Sequence, residues 1–453
     1  MNKNEIYEFE VIDSGMNFEG IAKKDGQVVF IPGAIIGEKV KAKIIKVNTS
    51  YAIGKVEEIL NKSEYRVEEF CPVFKRCGGC SCQNIDYDMQ LILKNKMVES
   101  LLRKQKVNYE KLNSTIGMGM PYYYRNKVQY PTRSDNNGNS KIGFYSNRSH
   151  SIIENDCCYI ENRVIDILSK TVFDILVKNN FTMYNDDTKE GEIKHLLIRR
   201  GYHTGEIMVV IIVSDKNLAK DKRFEKVVKE LTKNENIKSI FLNINEKDTN
   251  EIVGEECVKL YGDDYISDYI GEFKYMISPK SFFQVNTIQA EVLYSTLKEF
   301  LKLEGNEVLF DLYSGVGSIG IFLSKEASKV YGIEIEEEAV KMANINLKEN
   351  DISNAEYIAG SVEDKIEEFK NRNIKPDVIV VDPPRKGLDE KSIKYILDFN
   401  PKKIGYISCN PATLARDLKL LEEKYDILQI TPVDMFPHTS HVECVALLQR
   451  KNT

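Results

Sequence analysis

The stretch "GYISCNPATLARD", Gly405 to Asp417, ends an apolar run in Cys409 and follows it at once with Asn410-Pro411. A cysteine where a strand stops and a loop begins lies at the edge where α/β enzymes keep their chemistry. As a thiolate it is a nucleophile. Further on, "FPHTSHVECVALLQR" supplies a candidate base in Glu443, with His438 and His441 as alternatives. By pattern alone Glu443 is equally a surface acid at a strand edge.

A second set of residues points to a cofactor. "VLFDLYSGVGSIGIFLS" reads as strand, glycine turn and helix, with Gly315, Gly317 and Gly320 in a G-x-G-x-x-G pattern and Glu334 closing the next strand, "KVYGIEI". Such glycines admit a cofactor close to the backbone, and the acid accepts ribose hydroxyls. Dinucleotides and S-adenosylmethionine both place an adenosine there. Asp311, just before the loop, favours a cationic cofactor, because it would repel a pyrophosphate. "DVIVVDPPRKG" ends another strand in Asp382-Pro383-Pro384, and two prolines stiffen the loop beneath a flat group. An aromatic after the prolines goes with methylation of exocyclic amines; here Arg385 stands in that place.

Methyl transfer to oxygen or nitrogen needs no covalent nucleophile, because those atoms carry lone pairs. Transfer to C5 of a pyrimidine does. A thiolate added at C6 makes C5 electron-rich enough to attack a sulfonium methyl group. A base must then remove the C5 proton so that the sulfur can leave. Cys409 and Glu443 are the side chains this chemistry asks for.

The elements that must position these groups follow from patterning. With 453 residues, two or three domains are expected. The start alternates apolar and polar residues between turn signals, giving about five short strands of a small antiparallel barrel over 1–60. An amphipathic helix is expected near 87–106, inside a central, mostly β region spanning 61–280. From 281 to 453 strands alternate with helices, the pattern of an α/β domain with a Rossmann-like parallel sheet. An apolar fraction of 42%, a charged fraction of 29% and a net charge of -6 exclude a uniformly basic coat but not a local basic path. No signal peptide or membrane span is recognised, so a cytoplasmic protein with no membrane partner is expected.

Among nine cysteines, Cys71, Cys77, Cys80 and Cys82 fall within twelve positions, the signature of a metal site in a reducing compartment.

"SFFQVN", "DLYSGVGSIGIFLS", "DPPRKGL", "SCNPATLARDL" and "HVECV" occur in that order. Together they resemble the S-adenosylmethionine-dependent RNA uracil-C5 methyltransferases, in particular the 23S ribosomal RNA branch, over nearly the whole chain. The resemblance implies Cys409 as nucleophile and Glu443 as base, with the cofactor held by Gln284, Tyr313, Glu334 and Asp382. Phe283 and Arg385 would shape the base pocket. The N-terminal barrel resembles a TRAM (OB-like) module. In that branch three clustered cysteines and a distant one hold a [4Fe–4S] cluster, here Cys71, Cys77 and Cys80. The apolar Ile160 two positions on selects Cys158 over Cys157 as the fourth. Zinc on Cys71, Cys77, Cys80 and Cys82 is the rival.

The partner implied is RNA, with a uridine flipped from a loop. In "YYYRNKVQYPTR", Arg125, Lys127 and Arg133 mix with aromatics as phosphate and stacking contacts require. No obligate protein partner is evident. Three rivals stand: a transfer RNA substrate, a nicotinamide-dependent iron–sulfur oxidoreductase, which leaves Cys409 without a task, and a non-enzymatic RNA-binding factor.

Overall fold

A computed structural model describes residues 1–135, 138–147, 149–249 and 251–452. The N-terminal strands Ile6–Glu10, Asp13–Ser14, Gly20–Lys24, Gln27–Ile31, Lys39–Val47 and Tyr51–Asn61 form one sheet around buried Phe9, Val29, Ile31, Val40 and Ile44. The barrel is antiparallel as expected, except that Gln27–Ile31 pairs parallel with Tyr51–Asn61. The ladder between Lys39–Val47 and Tyr51–Asn61 carries register shifts, which bend and twist a strand. Arg66 then fastens the barrel to the following loop, reaching buried Glu38 and the Gly33 carbonyl.

The central region is built on a sheet of Glu256–Gly262, Ile237–Ile244, Ile207–Val213, Ile193–Arg200, Lys127–Ser134 and Ser140–Ile142, in that order. It also carries the helices Arg163–Lys178 and Arg223–Leu231, which the expectation of a mostly β segment missed. Their signals are in the sequence: Ile165, Leu168, Val172 and Leu176 repeat at helical spacing behind an Asn162 N-cap, and all four pack on the sheet.

The C-terminal sheet runs Ala355–Ala359, Lys329–Glu334, Val308–Leu312, Val378–Val381, Lys403–Ser408, Glu443–Arg450, Tyr425–Val433 and Tyr109–Leu112. The first five are parallel to one another, and Glu443–Arg450 is antiparallel to its neighbours on both sides. Apolar cores fill both faces, one under the helix Thr287–Leu301 and one under Glu390–Phe399 and Pro411–Leu421. The C-terminal fold draws on residues from inside the 61–280 region. The helix Tyr87–Lys104 sends Val98 and Leu102 into the second core, and Tyr109–Leu112 supplies the outermost strand. That pairing joins residues about three hundred positions apart, which local patterning does not reveal. Among the described residues no helix is long and apolar enough to cross a membrane.

Candidate active site

Ladder register brings the expected site residues to one edge of the C-terminal sheet. Leu312 pairs with both Ile333 and Val381, so Tyr313, Glu334 and Asp382, each one residue on, leave neighbouring strands at the same level. Ser408 pairs antiparallel with Cys444, so Cys409 and Glu443 are the next residues on their two strands. This edge holds the carboxyl ends of the parallel strands, where open α/β sheets bind ligands.

The glycine loop is built for close approach. Tyr313 turns the chain out of its strand with a φ of 63°, a left-handed conformation uncommon for an aromatic residue, and its hydroxyl pairs with Ser392 Oγ at 2.8 Å. The Gly315 amide donates to Glu334 Oε2 at 2.9 Å, and the Gly320 amide donates to Asp311 Oδ2 at 2.9 Å. A Cβ on Gly320 would lie 2.4 Å from the Tyr357 hydroxyl, so a larger residue does not fit there. Buried Gln284 contacts Tyr294, whose hydroxyl lies 3.0 Å from Ser318 Oγ at the end of the glycine turn.

The pocket is strongly acidic. Burial, and to a smaller extent Asp382 and Glu334, push the Asp311 carboxyl up to about 7, against the Gly320 amide; Asp311 Oδ1 is buried and has no hydrogen-bond partner among the described residues. Burial alone pushes Asp382 up to about 7. Burial and then Asp382 push Glu443 up to about 8, opposed by Arg385. Burial, Glu443 and Asp382 push the Cys409 thiol up to about 11, with Arg385 again opposing. Such a cluster of acids favours a cationic ligand and disfavours a pyrophosphate.

The loops are cross-braced by residues that sequence reasoning quoted without assigning them a task. Asn410 caps the helix Pro411–Leu421 through its Oδ1, and its Nδ2 donates to the Arg385 carbonyl at 2.9 Å. Asp417 Oδ2 accepts the Leu388 amide at 2.8 Å and the Tyr406 hydroxyl at 2.7 Å, while Arg416 donates to the Lys386 and Leu388 carbonyls. Thus "SCNPATLARDL" holds "DPPRKGL". Gly387, at a φ of 74°, leaves no room for a side chain against Arg416 and Asp417.

Phe283 packs into the core against Tyr275, and its neighbour Phe282 is 65% exposed. Arg133 is committed to Asp186 and to the Lys194 carbonyl, Arg125 is buried beside Tyr124 and Glu161, and burial lowers Lys127 to about 7.

The cysteines divide cleanly. Cys71, Cys77, Cys80 and Cys158 line one cavity with Phe74, Gln83 and Asn155. The Cys77 sulfur accepts the Gly79 amide, and Asn155 Nδ2 lies 3.7 Å from the Cys71 sulfur. Cys82 is fully buried elsewhere, its thiol donating to Gln90 Oε1 at 3.4 Å. Among the described residues no group of three or more His, Cys, Asp or Glu side chains is arranged to hold a metal ion.

A model of the tRNA (Uracil-5-)-methyltransferase family matches residues 87–451, and a TRAM domain model matches residues 2–56. An uncharacterized RNA methyltransferase of Clostridium acetobutylicum is 46% identical over 99% of this chain and 98% of its own length. One of Staphylococcus epidermidis is 42% identical over 100% of this chain and 99% of its own length. Among solved structures, the Pyrococcus abyssi tRNA (uracil-54, C5)-methyltransferase bound to S-adenosyl-L-homocysteine superposes with a TM-score of 0.77 at 27% identity, covering 98% of this chain and 100% of that one. The family match begins at Tyr87, the first residue of the helix that joins the C-terminal fold. With its strand order, its acidic glycine-loop edge and these matches, the chain belongs to the RNA uracil-5-methyltransferase family, with a TRAM domain ahead of the catalytic fold.

Proposed function

We propose that this protein methylates C5 of a uridine in 23S ribosomal RNA, with S-adenosylmethionine as donor, Cys409 as nucleophile and Glu443 as base. The observation that carries the reading is the emergence of a thiol and a buried carboxyl, one residue beyond a shared backbone pair, beside Asp382 at the cofactor edge.

The residues present fit the cofactor. Asp311, with an unpartnered buried oxygen, makes the pocket acidic, Glu334 is already aimed by the Gly315 amide, and Gln284 and Tyr313 flank the turn. When bound, S-adenosylmethionine supplies the electrophilic methyl group. Cys409 adds to C6 of the flipped uracil and makes C5 nucleophilic. After C5 is methylated, Glu443 takes its proton, the C5–H electron pair forms the C5–C6 double bond, and the C6–S bond breaks to return the thiolate. Arg385, whose charge opposes the upward shifts of both Cys409 and Glu443, stabilises their ionised forms. The pocket walls are rigid because the helix and loop that carry them are tied together at Asn410 and Asp417.

Cys71, Cys77, Cys80 and Cys158 are proposed to hold a [4Fe–4S] cluster, supported by the cavity they share. Cys82, facing Gln90, gives no support to zinc on the clustered four. A cluster held by these residues would crosslink the loop at 71–80 to Cys158, and the methyl transfer would require no electron from it.

A transfer RNA substrate is the second reading, favoured by the full-length similarity to the archaeal tRNA enzyme. Incubating the protein with S-adenosylmethionine and RNA carrying 5-fluorouridine tests the chemistry: the expected result is a stable adduct mapping to the Cys409 peptide. Absence of any adduct sinks the reading. Mapping 5-methyluridine in ribosomal and transfer RNA from a deletion strain decides the substrate.

A further inference from the structure

Glu443 is the first residue of its strand, and backbone pairing fixes the chain only from there onward. Residues 434–442, which lead into it, form the long connection between the last two strands. A connection of that length has no register of its own and takes its shape from what grips it.

It is gripped by remote parts of the chain. The amides of Ser81 and Cys82 both donate to the His438 carbonyl, at 3.0 and 3.2 Å, and the Ser440 amide donates back to Ser81 Oγ at 2.8 Å. From the helix Tyr87–Lys104, Gln90 Oε1 accepts the His438 amide at 3.1 Å, and Gln90 Nε2 donates to the Cys82 and Ile85 carbonyls. One turn on, buried Lys94 pairs with buried Asp434 at 2.5 Å, and Tyr87 donates to the other Asp434 oxygen at 2.9 Å. The turn is held in a conformation it would not choose: His438 has a φ of 66°, and its ring stacks on Tyr122 with centroids 5.0 Å apart.

We propose that Ser81 and Gln90 are positioning residues for Glu443: the segment following Cys80 and the helix at Tyr87–Lys104 clamp the His438 turn and thereby aim the base at the C5 proton. The clamp acts on one step alone. Addition at C6 and methylation of C5 need Cys409 and the cofactor, which other strands position; only proton removal, with collapse of the C6–S bond, needs the base aimed. A slackened clamp therefore leaves methylated RNA covalently held on Cys409. The inference rests on the assignment of Cys409 and Glu443 made above.

The test is denaturing electrophoresis of the holoenzyme with unmodified substrate RNA and methyl-labelled cofactor. Ser81→Ala, which removes the acceptor of the Ser440 amide, is expected to raise the labelled protein–RNA band about tenfold over wild type, equivalent to roughly 1.4 kcal/mol on elimination. Ser81→Thr keeps the oxygen and restores the wild-type level. Gln90→Met, cutting the turn loose from the helix, gives the same band if Ser81→Ala does not fold. Glu443→Gln, the control, traps the adduct outright. Ser81→Ala or Gln90→Met with no extra band, whether active or slow, overturns the clamp while a trapped Glu443→Gln leaves the reaction standing. No band from Glu443→Gln overturns the base assignment and the clamp with it.

Discussion

Glu443 stands on the strand beside that of Cys409, each one residue past the antiparallel Ser408–Cys444 pair. The proposed nucleophile and base are therefore held apart by a backbone ladder, with no direct hydrogen bond between them required. Separate roles predict separable losses. Cys409→Ala should abolish methyl incorporation while calorimetry still registers the cofactor and gel shift still registers RNA. Glu443→Gln should slow turnover by about 10²- to 10⁴-fold, the usual worth of a placed base. Equal residual activity in the two variants would contradict that division.

Arg385 opposes the upward shift of both the Cys409 thiol and the Glu443 carboxyl. Removing that charge should make both groups harder to ionise. In Arg385→Gln the ascending limb of log kcat/KM against pH should move to higher pH. A limb that stays in place, or moves down, would show that the guanidinium does not act on these groups.

In the cofactor-free protein the buried carboxyls should contribute less stability as pH rises. Folding raises Asp382 and Asp311 from 3.8 to about 7, and Glu443 from 4.5 to about 8. The folded state thus binds more protons than the unfolded one across that interval, and the advantage, full below about pH 4, is lost as pH rises through 7 to 8. Between pH 5 and 8, differential scanning fluorimetry should show Tm falling less, or rising more, in Asp382→Asn than in the unaltered protein. The Tm gain from S-adenosylmethionine should grow over the same range, because its cation meets more ionised carboxylates.

The cysteines should separate by colour. Cys158→Ala is expected to lose bound iron, visible absorbance and several degrees of Tm, whereas Cys82→Ala and Cys157→Ala retain the iron. Iron retained in Cys158→Ala, measured by atomic absorption on anaerobically purified protein, would remove that residue from the ligand set.

Gly387→Ala places a Cβ 2.6 Å from both Arg416 Nη2 and Asp417 Oδ2 at a φ that disfavours alanine. A cost of about 1–3 kcal/mol is expected, visible as a lowered denaturation midpoint. The strain falls on the loop carrying Asp382 and Arg385, so KM should rise as well.

Much of the candidate site was legible because its parts are local. Cys409 and Glu443 each lie at the junction of an apolar run with a loop, Glu334 closes a strand that patterning finds and Asp382 follows another. What stayed hidden depends on partners far along the chain. Nothing near Tyr109–Leu112 announces its pairing with Tyr425–Val433, and nothing near Gln90 announces the His438 turn. The adjacent aromatics Phe282 and Phe283 point to opposite environments, and only the packing of the second against Tyr275 tells which is which. Asp417 reads as an ordinary helical acid until its contacts with Leu388 and Tyr406 are seen.

The strand Tyr109–Leu112 closes the far edge of a sheet whose remaining members all come after residue 300. A protein trimmed to its last third would bare the main-chain groups of Tyr425–Val433 along their full length, an open template for aggregation. During synthesis the early strand must likewise wait for a partner made last, so the sheet can be finished only after the ribosome has delivered nearly the whole polypeptide.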